Sequence, residues 1–246
     1  MSGNAPAKQN RHRFAPLPSK GSVASEDGTM KLRGIVFDMD GTLCETQNWM
    51  FGQMRSAVSI PKSSDILDHI HALPEREQEE AFKKIEAIES EAMAKQIPQP
   101  GMVRLMEFLD SQDIPKGICT RNFDTPVTHL LTTHVPEHIE VFHPVITRSF
   151  RPPKPSPAGI LHIAHAWGVT GTASVPDSAP EERLLPLVMV GDSVDDIAAG
   201  YDAGALTVLL RSEGKEELEV DEKTDVVVSR LDELIGLLEA GLVRRR

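Results

Sequence analysis

Apolar residues fall along this 246-residue chain in two rhythms. The first is a short unbroken apolar run closed by polar loop residues. That is how a strand reads when both of its faces are covered in a parallel sheet. Residues 32–38 (LRGIVFD), 116–120 (KGICT), 145–147, 187–191 (LVMVG), 206–210 and 225–228 fit it. The second rhythm is apolar recurrence every three to four residues. It predicts helices over 102–109, 125–133, 157–167, 195–203 and 231–242. Strand and helix alternate from residue 102 onward, so the expected class is α/β, a parallel sheet with helices on both faces.

Residues 45–100 break the alternation. Ala81, Phe82, Ile85, Ile88 and Ala92 recur at helical spacing behind Pro74, which is expected in the first turn of that helix. Ile66, Leu67 and Ile70 predict a shorter helix, and Pro98 and Pro100 close the segment. No strand is expected in it. The division predicted is a core of 31–44 and 101–246 with a helical insertion at 45–100. Residues 1–30 carry Lys8, Arg11, Arg13 and Lys20 ahead of the first acid, Glu26. They read as a disordered tail or, alternatively, a mitochondrial transit peptide; Pro6, Pro16 and Pro18 count against an amphipathic helix there. Residues 171–182, rich in Ser, Pro and Ala, read as an exposed loop with no catalytic role.

Composition narrows the function. The formal charge is −11, with 40% apolar and 26% charged residues. An acidic chain makes a poor binder of phosphate backbones, so no nucleic-acid partner is expected. No apolar run approaches the roughly 20 residues that span a bilayer, and no secretory signal is visible, so no membrane partner is expected either. The expected location is intracellular, in the cytoplasm, with mitochondria as the alternative. Cys44 and Cys119 are too few for a disulfide framework and read as reduced thiols. The nine histidines show no zinc pairing; His162 and His165, one helical turn apart, read as structural. Oligomeric state is not legible.

In open α/β sheets ligands sit at the carboxyl ends of the strands, so the polar residues there are the candidates. Asp38-Met39-Asp40-Gly41-Thr42 puts two carboxylates on one face after the first strand, with Gly41 able to turn sharply. One carboxylate can attack phosphorus and the other can shuttle a proton; the same letters also spell an ordinary acidic turn. Thr120 and Asn122 stand at the next strand end, either beside a bound phosphate or as plain helix caps. Lys154 lies between prolines that could hold an ammonium in place, or it is a solvated loop lysine. Asp192, Asp195 and Asp196 crowd negative charge in GDSVDD, which suits an oxygen-liganded Mg²⁺ or an Asp-capped, solvated acidic helix start.

Four such stretches in order carry more than any one alone. DMDGT at 38–42, Thr120 in ICTRN, Lys154 in KPSP and GDSVDD at 191–196 resemble the signature motifs of the haloacid-dehalogenase superfamily, over roughly residues 32–210. The wording around them resembles plant and fungal hydrolase-like members. The resemblance implies a Rossmann-like, doubly wound core with a small all-α first-type cap at 45–100. It implies Asp38 as nucleophile and Asp40 as general acid and base. Thr120, Arg121, Asn122 and Lys154 would bind phosphate. Mg²⁺ would be held by Asp38, the Asp40 carbonyl and Asp192, with Gly41 and Asp196 in support and Asp195 outside the core set. Asp196 would act behind the metal or orient Lys154.

The implied activity is hydrolysis of a small phosphorylated metabolite through an aspartyl-phosphate. A phosphomutase on the same scaffold and a non-catalytic binding protein are the alternatives; a dehalogenase would need neither Asp40 nor the metal-type acids. The cap is expected to choose the substrate. Gln47, Asn48, Trp49 and Arg55 are candidates for the entrance, and Arg148 and Arg151 for meeting an anionic substrate.

Overall fold

The computed structural model describes residues 14, 16–17, 29–61, 63–64, 66–174 and 184–245. Six strands form one sheet: β1 (Gly34–Phe37), β2 (Lys116–Cys119), β3 (Val145–Ile146), β4 (Leu187–Gly191), β5 (Leu206–Leu210) and β6 (Val226–Val228). They run in the order β3-β2-β1-β4-β5-β6, and every neighbouring pair is parallel. Among the described residues eight α-helices accompany them: α1 (Asn48–Ala57), α2 (Ile66–His71), α3 (Glu75–Ala94), α4 (Met102–Ser111), α5 (Asp124–His134), α6 (Ala158–Ala166), α7 (Val194–Ala203) and α8 (Glu233–Ala240).

The unbroken apolar runs are explained by cover on both faces. Side chains alternate along a strand, so successive residues enter different cores. Ile35 and Phe37 of β1, with Val188 and Val190 of β4, pack with Leu105, Leu109, Val127, Leu234 and Leu238 from α4, α5 and α8. Val36, Leu187 and Met189 pack with Ile160, Ile163, Ala199 and Ala203 from α6 and α7. The sheet is doubly wound, as the alternation predicts. Its order reverses at β1, whose neighbours are β2 and β4. That switch point opens a crevice at the strands' carboxyl ends, and Asp38 lies at its centre.

Residues 48–94 hold α1, α2 and α3, with no strand among the described residues. Ala81 and Ile85 of α3 bury with Met54 of α1 and Ile70 of α2, a small core separate from the sheet. Pro74 stands just ahead of α3 as its cap residue. Helix α1 has no counterpart among the expected elements. Its buried stripe rests on Met50, Met54 and the neighbouring Val58, while Phe51 faces solvent and Gly52 leaves a gap, so the periodicity is faint in the letters.

Within residues 1–30, read as a tail, some described positions are held by the fold: Met30 packs against the main core and bridges Phe14. Phe14 and Leu17 are buried in the main core. Their backbone N–H groups donate to Leu242 O at 2.7 Å and Leu238 O at 2.9 Å, strapping the end of α8. An apolar side chain that finds a packed site stays there, whatever the polarity of its neighbours in sequence. The rest of the tail or transit-peptide reading falls on 1–13, 15 and 18–28, outside the described residues. The 171–182 loop is described only to Ser174, and no helix among the described residues is long and apolar enough to cross a membrane.

Phe14→Ala is expected to cost about 3 kcal/mol of unfolding free energy, the usual loss for a large buried aromatic. Urea unfolding of the full chain checks it, and a change under about 0.5 kcal/mol, the range of ordinary surface substitutions, would mean the strap is not part of the core.

Candidate active site

Each motif reaches the crevice from a different strand end. Asp38 follows β1 directly, and its backbone N–H still donates to Val190 O at 2.9 Å, so the sheet ladder fixes its position. The chain then turns sharply, with Thr42, Leu43 and Cys44 all donating backbone or side-chain hydrogen bonds to Met39 O. Gly41 sits in that turn with φ +84°, and a Cβ there would meet the Asp192 carboxylate at about 2.4 Å. Both facts require glycine. The β4 motif uses the same device: a Cβ on Gly191 would stand 2.2 Å from the Asp196 Cβ. Gly41 therefore lets the two acidic loops close on one another, and Gly191 makes room for Asp196 within its own loop.

At the start of α7 the cap is Ser193, not an aspartate. Its side chain accepts from Asp196 N, and Asp196 Oδ2 accepts in return from Ser193 N at 3.0 Å, a reciprocal capping box. The same Oδ2 also accepts from Asp192 N at 3.2 Å and Ser193 Oγ at 2.7 Å. Asp196 is thus buried instead of solvated, and its remaining oxygen, Oδ1, accepts from Lys154 Nζ at 2.5 Å. Lys154 also donates to Asp38 Oδ1 at 2.6 Å. All three residues are buried, so the ammonium is the partner of both carboxylates away from bulk solvent.

The titration behaviour follows. Burial pushes the Asp38 carboxyl up to about 7, and the nearby Asp196 charge adds to the rise, while Lys154 opposes it. Burial on its own would lower the Lys154 ammonium, but Asp196 and Asp38 outweigh it and hold the group above its ordinary range. Asp192 is raised by burial, against Lys215 and Lys154. Burial is the first cause for both acids, and the lysines only partly offset it.

Asp40 lies at the solvent-reached mouth. The protein behind its carboxyl still withdraws water and raises its pKa, opposed by the Cys44 thiol. Asn122 Nδ2 donates to Asp40 Oδ2 at 2.7 Å, and Cys44 Sγ to Asp40 Oδ1 at 3.4 Å. Asn122 therefore holds Asp40 in this geometry, and its backbone N–H donates to Thr120 Oγ1 at 3.1 Å. Thr120 is buried at the end of β2 with a hydroxyl proton still to give. Arg121 does not join the cluster; its exposed guanidinium pairs with Asp195 at 2.5 Å. Both cysteines are buried, and burial raises both thiols, Cys119 to about 11.

One carboxylate oxygen from each of Asp38, Asp192 and Asp196 lies within 4.8 Å of the others. The donors are all oxygen, the set that Mg²⁺ prefers. Asp196 already accepts on both oxygens, which leaves Asp38 and Asp192 as the acids with an oxygen to offer. The sequence reading missed Lys215. It follows β5, 23 residues beyond Asp192, and donates to Asp192 O at 3.0 Å and to Asp192 Oδ2. No motif contains it, and no signal in the letters separates it from other loop lysines.

Among the entrance candidates, Gln47 Nε2 donates to Ala92 O at 2.8 Å, tying the start of the helical segment to the end of α3. Trp49 carries Lys95 over its ring at 5.1 Å, and Arg55 donates to Phe51 O. The Asn48 side chain lies outside the described ones. Arg148 stacks over Phe123 at 4.8 Å, next to Asn122, whose carbonyl accepts from Arg148 N at 2.8 Å; Arg151 is exposed. His162 rests against Phe150, and His165 bonds Thr170 O, both structural contacts.

Fold and site define a doubly wound α/β protein whose acids and a buried lysine converge at the switch point of the sheet. The haloacid dehalogenase-like hydrolase model matches residues 32–204, and the chain belongs to that family. An uncharacterized hydrolase of Saccharomyces cerevisiae is 42% identical over 216 residues, 86% of this chain and 93% of that one. An Arabidopsis thaliana haloacid dehalogenase-like hydrolase domain-containing protein is 34% identical over 234 residues, 86% and 85% of the two chains. Among solved structures, a predicted phosphoglycolate phosphatase from Haemophilus somnus superposes with a TM-score of 0.64 at 18% identity, covering 84% of this chain and 97% of that one. CbbY from Rhodobacter sphaeroides, solved in complex with phosphate, gives 0.59 at 19% identity, over 82% and 96%. At these identities the structures share the fold.

Lys154→Met takes away the cation that two buried carboxylates share. In EDTA it is expected to cost about 3 kcal/mol near about pH 8. With the ammonium gone, the already raised Asp38 pKa climbs further above its unfolded value. The penalty is present above that folded pKa and is relieved as pH falls and the carboxyl takes up a proton. Denaturant unfolding at about pH 8 and about pH 5 checks both points; an equal loss at the two would contradict the shared-charge account.

Proposed function

We propose that this hydrolase is a magnesium-dependent phosphomonoesterase that attacks a small phosphorylated metabolite with Asp38 and passes through an aspartyl-phosphate. The observation that carries the reading is the Lys154 ammonium bonded to Asp38 Oδ1 and Asp196 Oδ1 within a buried cluster that includes Asp192. The lysine bonds Asp38 Oδ1, whose second lone pair is assigned to the ion, and Oδ2 is left for phosphorus. Asp38, Asp192 and the Asp40 carbonyl are the ligands assigned to Mg²⁺. When bound, the ion would neutralise phosphoryl oxygens and the crowded carboxylates.

The chain's own groups supply the remaining chemistry. Asp38 Oδ2 attacks phosphorus, and the bond to the leaving oxygen breaks. Asp40 gives that oxygen its proton; its raised pKa favours the protonated form needed for this. Asp40, now ionised, takes a proton from water, which attacks the same phosphorus. Inorganic phosphate leaves, and Asp38 and Asp40 return to their starting states. Thr120 Oγ donates to a phosphoryl oxygen, and Lys154 balances the negative charge that builds up in the transition state. Asn122 keeps Asp40 aimed with one amide hydrogen and has the second to give to phosphate. Asp40 at a solvent-reached mouth favours water as the second acceptor, hence hydrolysis over a mutase, which must keep water out.

Helices α1 to α3 are assigned the role of a small cap that selects the substrate. Phe123 and Arg148, together beside Asn122, offer an apolar face and a cation at the entrance.

The test is phosphate release from p-nitrophenyl phosphate and then from a panel of phosphorylated metabolites, with Mg²⁺ and with EDTA. Turnover is expected only with the metal. It should vanish in Asp38→Asn and fall roughly a hundredfold or more in Asp40→Asn. Asp195→Asn, which loses only an exposed ion pair, should keep most of it. Metal-independent release, or an active Asp38→Asn, would refute the reading.

A further inference from the structure

Lys215 reaches the acidic cluster from outside every motif. It projects from the turn after β5, just ahead of a 3-10 turn at Glu216–Glu219. Its Nζ donates to two atoms of one residue, the backbone O of Asp192 at 3.0 Å and the carboxylate Oδ2. Asp192 is buried there, with 4% of its side chain exposed. The cluster therefore meets two ammonium groups. Lys154 takes one oxygen each of Asp38 and Asp196, and Lys215 takes one oxygen of Asp192.

The two lysines are held differently. Lys154 is 3% exposed and pinned between two carboxylates, so it has nowhere to go. Lys215 is 34% exposed, comes from a loop and is held by a single residue. It can swing toward solvent on its flexible stem. Three carboxylates facing two ammoniums still carry excess negative charge, which is why a further cation fits. A divalent ion on Asp192 must share that carboxylate with Lys215, and like charges on a shared ligand repel strongly where little water screens them.

We propose that Lys215 is a charge-balancing residue of the metal site: its ammonium steadies Asp192 while the ion is away and weakens the ion's hold when it is present, which keeps the ion exchangeable. The inference rests on the magnesium reading above. It predicts opposite consequences of removing one charge, a less stable ion-free protein and a tighter ion.

Calorimetric titration of Mg²⁺ into EDTA-treated full-length protein tests it without reference to turnover. Lys215→Met is expected to bind Mg²⁺ roughly tenfold or more tightly than the unaltered chain, while Lys215→Arg stays close to it. In EDTA, Lys215→Met should melt below the unaltered chain, and saturating Mg²⁺ should close that gap. Lys215→Gln removes the same charge with a polar side chain and serves if circular dichroism shows the Met variant misfolded. Affinity in the neutral variants equal to or weaker than that of the unaltered chain would overturn the inference and leave the magnesium reading standing. No Mg²⁺ uptake by the unaltered chain would overturn both.

Discussion

Everything at the head of this sheet depends on how three acids are kept together away from water. Asp38, Asp192 and Asp196 are all buried, and a buried carboxylate without a partner costs several kcal/mol. The fold meets that cost by inserting an ammonium where two of them converge. Lys154 bonds to Asp38 and Asp196, and Asp196 spends its other oxygen on the start of α7. The same contacts that make the cluster tolerable give Asp38 its direction. One oxygen is committed to lysine, and in the proposed mechanism the other is the one that attacks phosphorus. Stability and reactivity are here the same set of hydrogen bonds.

The capping box at Ser193 links helix formation to the site. Asp196 satisfies free N–H groups at the helix start, as an N3 acid does in many helices. Because it is also the lysine's partner, the position of α7 on the sheet is coupled to the position of the charge. Gly200, in the same helix, lets α7 approach Met189 of β4 closely, since a Cβ there would stand 2.7 Å from the Met189 Cβ. Packing on one side of the sheet thus fixes an atom in the crevice at its edge.

Asp40 belongs to a different environment. It sits at the mouth, held by Asn122 and Cys44 instead of by a cation. Two acids two residues apart therefore differ in what surrounds them. The buried one is pushed up by burial and held by lysine; the outer one is raised by partial desolvation and reached by solvent. Separate environments for neighbouring carboxyls suit the two roles proposed for the motif, a nucleophile and a proton carrier.

Periodicity alone determined the α/β class, the strands and the helices that follow them, because a strand covered on both faces has to be apolar at every position. The family resemblance rested on letters that sit at strand ends, where topology makes them neighbours, and so the cluster of Asp38, Lys154, Asp192 and Asp196 was legible as a list. Its wiring was not. That Asn122 holds Asp40, that Arg121 turns outward to Asp195 and that Lys215 grips Asp192 are decided by side-chain directions across 23 to 82 residues of intervening chain, and that Ser193 caps α7 by side-chain direction within one helical turn. Phe14 and Leu17 were hidden for a related reason: two isolated apolar residues carry no period, and only the groove beside α8 tells them from a tail. Local spacing records what a segment needs for itself. Which distant charge completes a buried one is set by where the folded chain brings them together.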